Sequence, residues 1–214
     1  MQNIKTFLSD LRRAAWRTSG ARYNAARRLR RREWFATFSI AMFSVAGILL
    51  AVYQRIYAIP AGGVLDNYLT IVSMFLGLFV LVISLIESGA SNAVRAELLH
   101  RNAEELNEFQ RKAAQVLAFA VDREKLEDRM VEDLRAEYEE LKRRCPYNHE
   151  PRDATLFDAQ QRLSPELARA DGNPRIGCLR AKWIELDSYV QPVRYFLGLW
   201  LLLGVVLWLT PWRT

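Results

Sequence analysis

The chain has 214 residues, 51% of them apolar and 25% charged, and a formal net charge of +6. That length admits one ordinary domain, and two cysteines exclude a scaffold stapled by several disulfides. A mean hydropathy of −0.07 would suit a soluble protein, but the apolar residues gather in three runs and the charge lies between them, which is the distribution a bilayer demands.

Residues 1–33 hold ten Lys or Arg against Asp10 and Glu33. Within them Ile4, Phe7, Leu8, Leu11 and Ala15 recur at helical spacing opposite Lys5, Arg12 and Arg13. This predicts an amphipathic helix, interrupted near Ser19 and Gly20, that lies on the membrane or packs against the long helix that follows the second span. Arg27, Arg28, Arg30, Arg31 and Arg32 follow. Directly before an apolar run, such residues suit anionic headgroups; a phosphate-bearing ligand such as a nucleotide is the alternative. Nucleic acid is the weakest reading, since no aromatic residues are interleaved as single-strand binding requires.

Two runs of twenty uncharged residues come next, Trp34 to Tyr53 and Asn67 to Ile86. At 1.5 Å per residue each covers about 30 Å, the thickness of the hydrocarbon layer. The first begins too late, and ends with no small-residue cleavage site, to be a secretory signal. The loop between them, Gln54 to Asp66, carries only Arg55 and Asp66, so the basic arm is expected in the cytoplasm.

On the second run Thr70, Ser73, Gly77 and Ser84, continued by Ser88 and Ser91, form a stripe of small and polar residues. Ser44, Gly47 and Ala51 repeat the rhythm on the first. Small residues let membrane helices approach closely, so one reading is packing between the two spans of one protomer. The other is a water-filled path formed by several protomers, with Glu87 at its cytoplasmic mouth selecting for cations.

No Gly or Pro occurs between Gly89 and Pro146, which allows a helix of more than fifty residues. Val94, Leu98, Ala103, Leu106, Phe109, Ala113, Val116 and Ala120 form one apolar seam. Met130, Leu134, Tyr138, Leu141 and Cys145 form a second, offset seam, so a kink or turn is expected at Asp122 to Glu124. Mixed charge on the other faces suggests a coiled coil with a partner helix or with copies of itself. Between Pro146 and Pro192 loops and short helices are expected, with Ser164, Pro165 and Glu166 at a helix start. Asn148, His149 and Asp153 suit a hydrogen-bonded turn ending the long helix, with contact to a ligand or partner as the alternative.

The third run, Tyr195 to Trp212, has eighteen uncharged residues, with Trp200, Trp208 and Trp212 suited to the interface. The expected fold class is an all-α integral membrane protein. Its expected segments are a basic cytoplasmic arm (1–33), a transmembrane hairpin (34–87), a cytoplasmic helical domain (88–194) and a third transmembrane helix (195–212) that leaves only the tail around Arg213 outside. Cys145 and Cys178 then sit in a reducing compartment as free thiols.

Nothing in the chain suggests an enzyme or a cofactor. There is no P-loop and no pair of carboxylates in a Gly-rich frame, and His100 reads as a surface residue. Cys145, His149 and Cys178 lack the short Cys-x-x-Cys pairing of a zinc site, so no metal is expected.

Arg22-Tyr23-Asn24-Ala25, then Arg27, Leu29 and Arg30 before a two-span hairpin, resemble the SLATT family of prokaryotic two-transmembrane effectors of antiviral conflict systems, and within it the branch associated with reverse transcriptases. Arg95-Ala96-Glu97, Tyr138 and the Asn148-His149 to Asp153 turn sit where that branch has similar residues. The resemblance implies an effector in the bacterial inner membrane that a nucleotide second messenger or a partner protein triggers to self-assemble and breach the bilayer, killing or arresting the infected cell. Its partners would be lipids, copies of itself and the trigger. A membrane-bound scaffold or sensor that recruits cytoplasmic partners without a pore is the competing reading.

Overall fold

The computed structural model describes residues 2–122 and 128–210, with the side chains of 2–4, 120–122 and 128 outside that description. In chain order the helices are α1 (Gln2–Ile56), α2 (Val64–Ala90), α3 (Asn92–Asp122), α4 (Asp128–Arg144), α5 (Pro151–Gln160), α6 (Cys178–Val190) and α7 (Arg194–Trp208), and one 3-10 turn occupies Pro165–Leu167. No strand occurs among the described residues. The helices divide into two units that do not follow the order of the chain: Met1–Leu29 with Ala93–Val190, and Arg30–Asn92 with Gln191–Thr214.

In the first unit the arm packs on other helices of the same chain. Leu8, Leu11 and Ala15 of α1 are buried with Leu106, Phe109 and Ala113 of α3 and Leu134, Tyr138 and Leu141 of α4. Further along, Ala25, Ala26 and Leu29 close on Ala96, Leu99 and Cys145. Each helix hides one apolar stripe by offering it to the other two, which is how a helical bundle removes apolar surface from water.

Three expectations change here. Helix α1 runs unbroken through Ser19 and Gly20. The Ser19 hydroxyl donates to the Trp16 carbonyl at 2.9 Å within the helix, and the bare backbone at Gly20 receives the Phe157 ring, which a Cβ would overlap. Helix α3 ends at Asp122, where the kink or turn was expected, but the two seams, expected to meet a partner helix or other copies, face one another: Asn102 Nδ2 donates to the Leu141 carbonyl at 2.7 Å, and the rings of Phe109 and Tyr138 lie 5.7 Å apart. Residues low on α3 meet residues high on α4, so the pair is an antiparallel hairpin, and Leu106 and Phe109 are covered by their own chain. The seam also enters differently, through Ala96 and Leu99, while Val94, Leu98 and Met130 are exposed. Ala120 and most of the expected kink, Arg123 and Glu124, lie outside the described residues or side chains.

In the second unit α1, α2 and α7 pack through Phe43, Leu50, Leu69, Val72, Leu76 and Leu203. Nearer the start of α7, Phe196 meets Ala36 and Ile83. Toward its end, Val206 accepts a hydrogen bond from Tyr68 Oη at 2.8 Å, so α7 runs beside the hairpin from the Arg32 and Glu87 end toward the connecting loop. Two helical stretches, within Lys5–Ile56 and Val64–Phe119, are long and apolar enough to cross a membrane, and a third qualifies only if α6 and α7 are counted together. With 15 residues, α7 covers about 22 Å, less than a full hydrocarbon layer. Trp212 and Arg213 lie outside the described residues.

Candidate functional site

The spans are joined by a tight polar knot. Asp66 Oδ2 accepts from the Gly62 amide at 3.0 Å where Gly62 adopts a φ of 78°, a conformation open to glycine. Gln54 Nε2 reaches Asp66 Oδ1 at 3.2 Å and Thr70 Oγ1 at 3.1 Å. Thr70, at the loop end of the stripe, therefore accepts a hydrogen bond from the first span.

The remainder of the stripe lies beside the packed face of α2. That face is Leu69, Val72, Leu76 and Ile83. At 100° per residue Ser73, Gly77 and Ser84 fall about 100° around the helix from it. Gly77 has nothing near the position of a Cβ, and Thr70 is exposed. Ser84 Oγ donates back to the Val80 carbonyl at 2.7 Å, whereas Ser73 Oγ is buried without a hydrogen-bond partner. The two spans pack chiefly through large apolar residues; of the stripe, Thr70 also bonds to the first span, while nothing lies near Gly77. On the opposite flank of α2, Ile71 and Phe75 line an apolar groove of about 420 Å³ with Leu199, Leu202 and Val206.

Glu87 does not stand as a bare carboxylate. Arg32 Nη2 donates to its Oε1 at 2.8 Å and Asn92 Nδ2 to its Oε2 at 3.2 Å. A mouth built from this residue would present ion pairs, and cation selection by a negative ring requires Arg32 to leave.

The five arginines are not one cluster. Arg28 turns into the first unit, where Nε and Nη2 each lie 3.0 Å from a different oxygen of Asp153, and Nη1 lies 3.0 Å from Glu150. Burial alone would lower its pKa, but the hydrogen bonds and charge of Asp153, with Glu150, outweigh that and raise it. Arg27 is exposed and donates to Asn24 Oδ1 at 2.9 Å, while Arg30 is exposed and Arg31 half-buried. Arg28 is therefore committed to the fold, which removes it from any shared phosphate site.

The turn starts a helix; it does not end one. Helix α4 stops at Arg144, and Glu150 caps α5 reciprocally: its side chain accepts from the backbone of Asp153, whose carboxylate accepts from the Glu150 amide at 2.9 Å, with Pro151 in the first turn. Asn148 Oδ1 receives the His149 amide at 3.0 Å. The Nδ1 of His149 is buried without a partner, and burial, aided by the Arg22 charge and opposed by Asp153, lowers the imidazole pKa.

A buried polar network beside this turn is not evident from spacing. Arg22, 4% exposed, donates to Asn102 Oδ1 and to the Lys142 carbonyl, joining α1, α3 and α4, with no carboxylate bonded to it among the described residues. Burial lowers its pKa against the opposing influence of Cys145 and Tyr138. Asn24 donates to the Asp153 carbonyl at 3.1 Å and to Gln160 Oε1 at 3.2 Å. Arg22 and Asn24 belong to the short motif before the hairpin, whose only sequence signal was the resemblance.

Cys145 is buried and Cys178 exposed, both as free thiols. Among the described residues no group of three His, Cys, Asp or Glu is arranged to hold a metal ion.

These features define an all-α membrane protein built on a two-span hairpin. The chain belongs to the SMODS and SLOG-associating 2TM effector domain family 5, whose model matches residues 4–210. No curated protein and no solved structure matches it. Membership places the chain among membrane effectors of conflict systems and, with the helical fold, points away from catalysis.

Proposed function

We propose that this effector acts by assembling several copies in the bacterial inner membrane and opening a pore along the small and polar face of α2. The observation that carries the reading is the outward position of Gly77 and Thr70 on that face: nothing lies near the position of a Cβ at Gly77, and Thr70 is exposed. Exposed small and polar positions gain nothing from lipid, whereas a neighbouring copy can pack closely on them or a water path can wet them. The basic arm supports a cytoplasmic N-terminus, and the course of α7 beside the hairpin supports a C-terminus on the far side.

A nucleotide second messenger or a partner protein acting on the first unit is the proposed trigger, with death or arrest of the cell as the outcome. The test is membrane potential in cells expressing the full chain together with its trigger, alongside cross-linking of Gly77→Cys. Depolarisation with cross-linked copies is expected. A chain that leaves the potential intact under every trigger, yet still recruits cytoplasmic proteins, is a scaffold.

A further inference from the structure

Helix α6 carries an apolar stripe that no described residue of its unit covers. Leu179, Trp183, Leu186 and Val190 fall at four-, three- and four-residue steps, a sector about 60° wide. Exposure reaches 87% at Leu179 and 69% at Trp183. The other side is occupied: Ala181, 4% exposed, is buried where α6 packs on α5. Water-exposed Leu, Trp, Leu and Val on one face are a persistent loss unless something shields them.

Chain continuity says what does. Arg194 opens α7, and the first buried residue of α7, Phe196, packs on Ala36 and Ile83. Those two residues lie within a turn or two of the Arg32–Glu87 pair, so the start of α7 sits at the level where the hairpin passes from charged to apolar residues. Val190 is four residues earlier and cannot be farther than about 14 Å from Arg194, even with the linking segment fully extended. Yet α6 cannot enter the hydrocarbon, because Arg180, Lys182, Glu185 and Asp187 lie within its 13 residues. A helix tethered at the membrane boundary, with Leu, Trp and Val along one stripe and charges on its flanks and far side, is built to lie in the interface plane.

We infer that α6 is an interfacial anchor whose Leu179–Trp183–Leu186–Val190 face docks on the bilayer between headgroups and acyl chains. Its two basic and two acidic residues balance, so the contact is apolar, survives high salt and needs no anionic lipid. It holds the end of the first unit against the membrane, and does not depend on whether the chain forms a pore.

The test uses the full chain, with Cys145→Ala and Cys178→Ser, reconstituted in phosphatidylcholine vesicles and carrying one nitroxide at Leu186→Cys or at Asp187→Cys. Both positions are exposed, so the label displaces no packing. Power saturation then compares oxygen, which concentrates in the bilayer, with a water-soluble nickel complex. The label at 186 should be relaxed severalfold more by oxygen than by nickel, with the order reversed at 187. A label at 186 as open to nickel as the one at 187 would overturn the inference, because the face would be in water. A label at 186 shielded from both reagents would overturn it equally, because protein would cover the face.

Discussion

The Phe157 ring rests on the α1 backbone at Gly20, in the space that any Cβ there would occupy, and Trp16 closes edge-on against the same ring at 4.8 Å. Gly20→Ala should therefore destabilise the first unit by about 1–3 kcal/mol despite the better helix propensity of alanine. Gly77→Ala, where nothing lies near the added carbon, should be neutral or slightly stabilising. Thermal unfolding of the full chain in detergent, followed by circular dichroism, compares the two.

The forked bridge from Arg28 to Asp153 is mostly buried, with side-chain exposures of 15% and 3%. Arg28→Ala leaves the carboxylate without its cation and should cost about 3–5 kcal/mol. Arg28→Lys keeps the charge but loses the fork, so only part of the loss should be recovered. Denaturant midpoints of the three proteins should rank wild type, Lys, Ala.

His149 makes stability depend on pH. Its folded pKa lies below the ordinary 6.5, so the unfolded chain binds the proton more readily and stability must fall as pH drops through about 6.5. The penalty is complete once pH is below the folded value. Replacing His149 with Gln removes this contribution, so the loss of melting temperature between pH 7.5 and 5.5 should be smaller in the variant. An equal loss would assign the effect to other groups.

Leu106 and Phe109 are buried inside the protomer, at 0% and 2% exposure. Aspartate at both should unfold the α1–α3–α4 bundle, by more than about 4 kcal/mol, instead of separating intact protomers. Limited proteolysis of the membrane-inserted chain distinguishes the outcomes: rapid cleavage within residues 93–190 is expected, and a resistant, monomeric chain would restore the seam as an oligomer contact.

The membrane hairpin was legible because twenty uncharged residues in a row have few other uses, and the observed spans contain both runs. The bundle was legible only in part. The offset seams signal a kink or turn between Leu106 and Leu134, but not that the chain reverses far enough for the two seams to cover each other. Gly20 looked like a break because propensity is local, whereas its reason lies 137 positions away at Phe157. Arg28 and Asp153, separated by 125 positions, were assigned separately to lipid and to a turn for the same cause. The stripe on α2 was legible as a stripe. Which way it faces depends on the residues that α1 and α7 place against the adjacent face.

The most direct test of the pore is ion release from liposomes holding the full chain and its Gly77→Leu, Ser73→Phe and Phe75→Leu variants, each first shown to insert and assemble. Bulk at 77 or 73 intrudes on the proposed lumen, while Phe75 lines the groove on the other flank of α2. Release should be lost or greatly reduced in the first two and retained in the third. Release from the Gly77→Leu and Ser73→Phe variants at the rate of the unaltered chain would contradict a pore along this face.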